Sequence, residues 1–172
     1  MKILIAYASR NGSTQDCAER LSELMHHADV TLANLENEQP NPSLYDVVVF
    51  GSSVRFGKFL PSATHFLKDY HDTLLQKKLA LFLCCGYAHE YEYYLQKLFA
   101  KDLLEHSLQT LYFGGTLRKD ELPFFDKLVV RSMRASIFEN DIENGEYTPT
   151  LPSILPENID KMATHLRECL KS

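Results

Sequence analysis

Ser9-Arg10-Asn11-Gly12-Ser13-Thr14 gathers three hydroxyls, one side-chain amide and one glycine into a single hexapeptide. Such a set can wrap a phosphate dianion. The hydroxyls of Ser9, Ser13 and Thr14 and the Asn11 amide donate hydrogen bonds, and Gly12 lets the backbone approach closely or turn with positive φ. A helix starting at the far end of the loop adds unpaired N–H groups and a partial positive charge. The plainer alternative is a strand-to-helix turn with ordinary capping by Ser13.

Rival phosphate chemistries need residues that are missing here. A Walker loop requires G-x-x-x-x-G-K-S/T, and no lysine precedes Ser13-Thr14. A dinucleotide fingerprint requires G-x-G-x-x-G, which does not occur. A tyrosine-phosphatase loop opens with a nucleophilic cysteine, where Ala8 and Ser9 stand. A phospho-receiver needs acids at the ends of its first and third strands, where Tyr7, Ser9, Ser52 and Ser53 stand. The loop reads as one that binds phosphate without breaking it.

The flanking segments say what positions it. Lys2 to Ala8 (KILIAYA) is a nearly continuous apolar run, the pattern of a buried strand. Beyond the loop, Cys17, Ala18, Leu21, Leu24 and Met25 share one helical face, with Asp16 and Glu19 in the first turn. Val30 to Leu35 alternates as a short strand, and Glu36 to Ser43 carries Pro40 and Pro42 as a loop. Val47 to Phe50 is a second apolar strand, expected to stop at Gly51-Ser52-Ser53. Pro61 opens a helix with Ala63, Phe66, Leu67, Tyr70 and Leu74 on one stripe. A strand over Leu79 to Cys85, a helix over Glu90 to Leu104 and a strand over Thr110 to Phe113 complete the alternation.

Short apolar strands between amphipathic helices predict βαβ units and a parallel sheet with helices on both faces. Ligands of such sheets bind beyond the carboxyl ends of the strands. Here those ends are Ala8–Thr14, Gly51–Gly57, Cys85–Glu90 and Gly114–Thr116. The C-terminal third departs from this order. Leu122 to Ile137 has helical spacing, with Lys127, Arg131 and Arg134 on one stripe and Phe125, Leu128, Val129 and Met133 opposite. Glu139, Asp141, Glu143 and Glu146 form an acidic loop, and Pro156 begins a last helix with Ile159, Met162, Ala163, Leu166 and Leu170 inward.

A chain of 172 residues is expected to be one domain, 1–172, with an inserted or extended helical segment at about 116–147. A net charge of −5 argues against general affinity for nucleic acid. The four cysteines make no C-x-x-C pair, and Cys84-Cys85 lie inside an apolar run, so buried thiols in a reducing compartment are expected. No leading signal segment and no apolar stretch of about 20 residues is present, which points to the cytoplasm. The seven histidines show no metal spacing.

The Ser-x-x-Gly-x-Thr loop after the first strand resembles the FMN-phosphate loop of flavodoxins. Ser53-Val54-Arg55-Phe56-Gly57, Gly114-Gly115-Thr116-Leu117-Arg118 and Phe125-Asp126-Lys127-Leu128 resemble, more narrowly, the quinone-dependent protoporphyrinogen IX dehydrogenase branch of that family. The resemblance runs in order from Met1 to about Met133. It implies an α/β, flavodoxin-like, doubly wound five-stranded parallel sheet of order 2-1-3-4-5. It also implies an FMN-dependent oxidoreductase whose chemistry occurs at flavin N5, with no amino-acid nucleophile.

On that resemblance, Ser9, Arg10, Asn11, Gly12, Ser13 and Thr14 hold the phosphate. Ser52, Ser53, Val54, Arg55, Phe56 and Gly57, with Gly86, Tyr87 and Tyr91, surround the isoalloxazine ring. Phe56 and Tyr87 are the ring-contact candidates, the alternative for Phe56 being a hydrophobic plug. Arg55 would favour the anionic reduced flavin, and His89 is a candidate proton donor. Implied partners are a quinone or a redox partner protein, and a porphyrinogen as substrate. Lys127, Arg131 and Arg134, with Arg118 and Lys119, would meet acidic lipid head groups at the inner membrane face or porphyrinogen carboxylates, or simply form a solvated helix face. A plain electron carrier without a small-molecule substrate and a non-catalytic binding module are the other classes left open.

Overall fold

The computed structural model describes residues 1–10, 12–86, 91–115 and 154–171. Its first strand, β1 (Lys2–Ala8), leads to α1 (Ser13–Leu24), β2 (Asp29–Asn34) and a short 3-10 turn at Pro42–Leu44. Then come β3 (Val47–Arg55), β4 (Lys58–Phe59), α2 (Pro61–Asp69), α3 (His71–Leu74), β5 (Lys78–Cys84), α4 (Tyr91–Leu98), α5 (Lys101–His106) and β6 (Gln109–Tyr112). The last element, α6, spans Pro156–Lys171. These residues belong to one compact unit, Met1–Thr116 with Pro152–Ser172.

The sheet order is β2-β1-β3-β5-β6, every pair parallel, with β4 attached antiparallel to β3. Setting β4 aside, the parallel strands have the expected doubly wound order. The continuous apolar runs follow from burial on both faces, since successive side chains in a strand point to opposite sides. Leu4, Ala6, Val48, Phe50, Leu79, Leu81 and Leu83 join one cluster with Ala63, Phe66 and Leu67 of α2, Phe99 and Leu103. Ile3, Ile5, Val47, Val49, Ala80 and Phe82 join the other, beneath Cys17, Ala18 and Leu21 of α1 and Ile159, Met162, Ala163 and Leu166 of α6. Each fully buried large side chain contributes about 1.5–3 kcal/mol.

Gly51 is required by this packing. It pairs with Phe82 across the ladder, and a Cβ at Gly51 would run into the Phe82 ring. That ring is in turn stacked on Phe113 at 4.5 Å between centroids.

Three segments differ from the sequence expectations. The strand expected to end at Phe50 continues to Arg55, because β5 pairs with it up to Ser53 and β4 then takes over at Val54. The helix expected over Glu90–Leu104 is two helices among the described residues. Ala100 adopts extended geometry (φ −65°, ψ 142°), and the preceding Phe99 packs edge-on against Phe50 and Phe59. The stripe from Ala63 to Leu74 also spans two helices, separated at Tyr70, whose φ of −113° departs from the helical value. The expectations for Leu122–Ile137, the 116–147 segment and the acidic loop lie outside the described residues.

Candidate functional site

The parallel register sets several loops along one edge. Ala8 of β1 lies beside Ser52 of β3, and Ser53 lies beside Cys84 of β5. The chain therefore leaves β1 toward Ser9, β3 toward the Arg55–Lys58 hairpin and β5 toward Cys85-Gly86 at the carboxyl edge of the sheet. A fourth strand end joins them: Cys85 N–H donates to the Gly114 carbonyl at 3.0 Å, and a Cβ on Gly115 would lie 2.8 Å from the Cys85 carbonyl oxygen. Two loops lie that close because Gly115 has no side chain.

The loop after β1 has the features of an anion cradle. Gly12 is the N-cap of α1 with φ 85°, and no side chain caps the helix. That departs from the plain reading of a turn capped by Ser13, which instead forms the first helical residue. Thr14, only 1% exposed, has a hydroxyl with no hydrogen bond of ordinary length and angle. The Cys84 thiol is near enough to feel Thr14, but burial dominates that thiol and pushes its pKa well up. Burying a hydroxyl unpaired costs about 1–3 kcal/mol, so the orphan marks a place where a partner belongs. Ser9 and Ser13 are also buried. Among the described residues, these donors fit a phosphate ester, with the uncapped helix end supplying the electrostatic term.

Arg10 also has a partner within the protein. Its Nε donates to Glu36 Oε2 at 2.6 Å, and the Ser62 hydroxyl at the start of α2 donates to the other Glu36 oxygen. Burial pushes the Glu36 carboxyl up, yet the hydrogen bonds from Ser62 and Arg10, with the Arg10 charge, outweigh it and hold the group below its usual value. Asn34 reinforces the same tie by donating to the Ser9 carbonyl at 3.4 Å and accepting from Glu36 N–H at 3.1 Å. Sequence reasoning left Glu36, Asn34 and Ser62 out of the site. Their separation from Arg10 along the chain leaves no local signal.

The second loop is a two-residue hairpin. Arg55 pairs with Lys58, and Phe56 and Gly57 between them both have positive φ (50° and 71°), the pattern of a type I′ turn. Phe56 is 52% exposed, so it is a ring presented to solvent and not a plug between loop and helix. For a phenylalanine this conformation is strained. Ser52 is fully buried and its hydroxyl donates to the Ser53 carbonyl, whereas Ser53, Val54 and Arg55 are partly exposed along the hairpin.

On the third side, Tyr91 opens α4 and stacks on Tyr112, centroids 5.2 Å apart, with its hydroxyl donating to Glu92. Tyr112 in turn donates to the Cys85 carbonyl at 2.6 Å, which holds the backbone just before the partly exposed Gly86. Burial, first, and the neighbouring Cys85 push the Tyr112 phenol far above its ordinary pKa, so it stays a donor at any physiological pH. Tyr112 was not among the expected site residues, since inside a short strand an aromatic reads as core. Asn11, Tyr87, His89, Arg118, Lys119, Lys127, Arg131 and Arg134 lie outside the described residues. Among the described residues, no helix is long and apolar enough to cross a membrane.

The family model for the Flavodoxin domain matches residues 4–141 of this chain. Protoporphyrinogen IX dehydrogenase (quinone) of Escherichia coli is 37% identical over 75 residues, which cover 41% of this chain and 40% of that protein. The matched stretch is thus less than half the length of that relative. A short-chain flavodoxin associated with a non-canonical PDU bacterial microcompartment superimposes with a TM-score of 0.56 over 98% of both chains, at 11% identity. The Fusobacterium nucleatum flavodoxin bound to flavin mononucleotide superimposes with a TM-score of 0.50 over 97% of both chains, also at 11% identity. Parallel strand order, an uncapped helix behind the first strand and the extent of the family match lead to one conclusion: this chain belongs to the flavodoxin family.

Proposed function

We propose that the chain is an FMN-dependent oxidoreductase that oxidises a porphyrinogen-type substrate and delivers the electrons to a quinone. The buried, unpartnered Thr14 hydroxyl beside the uncapped N-terminus of α1 carries the cofactor part of this reading. A dianionic ester there would satisfy the hydroxyl and meet the positive end of the helix together. The partial likeness to the Escherichia coli protoporphyrinogen IX dehydrogenase supports the substrate part.

In this reading Ser9, Ser13, Thr14 and the Gly12 turn bind the phosphate, and Arg10, held by Glu36, braces the loop. Phe56 offers a flat apolar wall at the hairpin, and Tyr112 fixes the Cys85-Gly86 backbone at the same edge of the sheet. Bound FMN would supply reversible two-electron chemistry between a reduced substrate and a quinone acceptor. The chain's own part is position, exclusion of water and redox tuning.

The test is an absorption spectrum of the purified protein, FMN titration, and then steady-state oxidation of protoporphyrinogen IX with a quinone acceptor. A yellow protein that turns over the porphyrinogen supports the proposal. FMN binding without turnover, with rapid electron exchange to a partner protein, would assign the domain to the electron-carrier class instead. Failure to bind FMN would remove both.

A further inference from the structure

The chain carries a net charge of −5, yet cations gather at the tip of the β3–β4 hairpin. The register places Arg55 opposite Lys58, so two like charges share one face of a two-residue hairpin, an arrangement that is destabilising by itself. A third cation comes from α4. A Cβ built on Gly57 would lie 3.6 Å from Lys97 Nζ and 3.7 Å from the Tyr94 ring, which sets the last turn of α4 directly against the hairpin tip. Lys97 Nζ also sits 5.2 Å from the centroid of the exposed Tyr93 ring. Among the described residues no carboxylate pairs with Lys58 or Lys97, and the acid on the same helix, Glu92, is engaged by the Tyr91 hydroxyl. In the same turn, between Arg55 and Lys58, Phe56 is exposed and held at positive φ.

Nothing in the fold requires this concentration. The hairpin would close with neutral residues at Lys58, and α4 buries no face through Lys97. Two ammonium groups next to exposed aromatic rings suit a ligand that joins an aromatic or pyrrolic body to carboxylates on short arms.

We propose that Lys58 and Lys97 form a carboxylate clamp that orients a dicarboxylate tetrapyrrole-type substrate at the Phe56 edge. This deepens the oxidoreductase reading above and rests on it. The clamp acts on binding and orientation, with Phe56 as the adjoining wall.

The experiment compares protoporphyrinogen IX with its dimethyl ester, in which both negative charges are removed, on the FMN-loaded full chain and on K58Q/K97Q. The clamp requires kcat/KM for the diacid to fall about tenfold or more in the double variant, mainly through KM. The ester should react at the same rate with both proteins, and the FMN dissociation constant should stay within about twofold. A control pair at the start of β1 and on α6, K2Q/K161Q, should leave all rates unchanged. An undiminished kcat/KM for the diacid, or an equal loss on the ester, would overturn the clamp. So would a defect seen only with an acidic electron-carrier protein, which would make the patch a protein dock. If the flavin-loaded wild type oxidises neither compound, the oxidoreductase reading fails by itself. The clamp is then judged by quenching of protoporphyrin IX fluorescence: a tenfold loss of affinity in K58Q/K97Q for the diacid alone sustains it, and equal affinity overturns it.

Discussion

Arg10 and Glu36 meet at 2.6 Å and join the loop after β1 to the turn after β2, with Ser62 closing the same carboxylate from α2. The Glu36 side chain is 19% exposed and that of Arg10 is 55% exposed. Half-exposed ion pairs contribute little, so the pair itself is worth under about 1 kcal/mol. Its role is to fix where the phosphate loop stands.

This arrangement predicts a pH signature. The Glu36 carboxyl is held below its ordinary value of 4.5 in the folded chain. A depressed folded pKa stabilises the fold above the unfolded pKa, and that stability is lost as the pH falls through the folded value. The difference in unfolding midpoint between wild type and Glu36→Gln should therefore be largest near neutral pH and shrink as the pH drops below about 4.5. A difference that stays constant from neutrality into that acid range would show that Glu36 is not tied as described.

Thr14→Val separates a structural hydroxyl from a ligand-binding one. Valine has nearly the same shape and removes the unpaired oxygen. The FMN-free variant should be as stable as wild type or more so by about 1 kcal/mol, while FMN affinity falls about tenfold or more. Denaturant melts without flavin and a fluorescence titration with flavin measure the two terms. A less stable apoprotein with unchanged FMN affinity would place the partner of Thr14 inside the protein.

Gly51→Ala should cost about 1–3 kcal/mol through overpacking, because the new methyl lands in the space of the Phe82 ring. A companion Phe82→Leu change should recover part of that loss, since it opens the same space. Thermal melts of the single and double variants provide the check, and additive losses would contradict the collision.

Much of this architecture is readable along the chain. KILIAYA, VVVF and LALFLC have to be interior strands because helices cover both faces of the sheet, and the glycines at the strand ends mark where the carboxyl edge must lie. The hydroxyl-rich loop stands out for a related reason. Its donors are neighbours in sequence, and a helix start is a local feature.

Other parts depend on residues that are distant in sequence. Phe56-Gly57 is not among the common type I′ pairs such as Asn-Gly, so the hairpin and the outward Phe56 ring become visible only when β4 pairs with β3. The helix expected at Glu90–Leu104 is interrupted because Phe99 turns into a core built from Phe50 and Phe59, whose positions the local pattern of that segment does not contain.

The division has one physical origin. Periodicity and loop composition decide which residues face inward and where an anion can meet a helix, since both arise from interactions a few residues long. Glu36 bracing Arg10, Tyr112 holding Cys85 and Lys97 standing over Gly57 belong to the tertiary structure alone, because a parallel sheet brings its strand ends together without regard to their spacing along the chain.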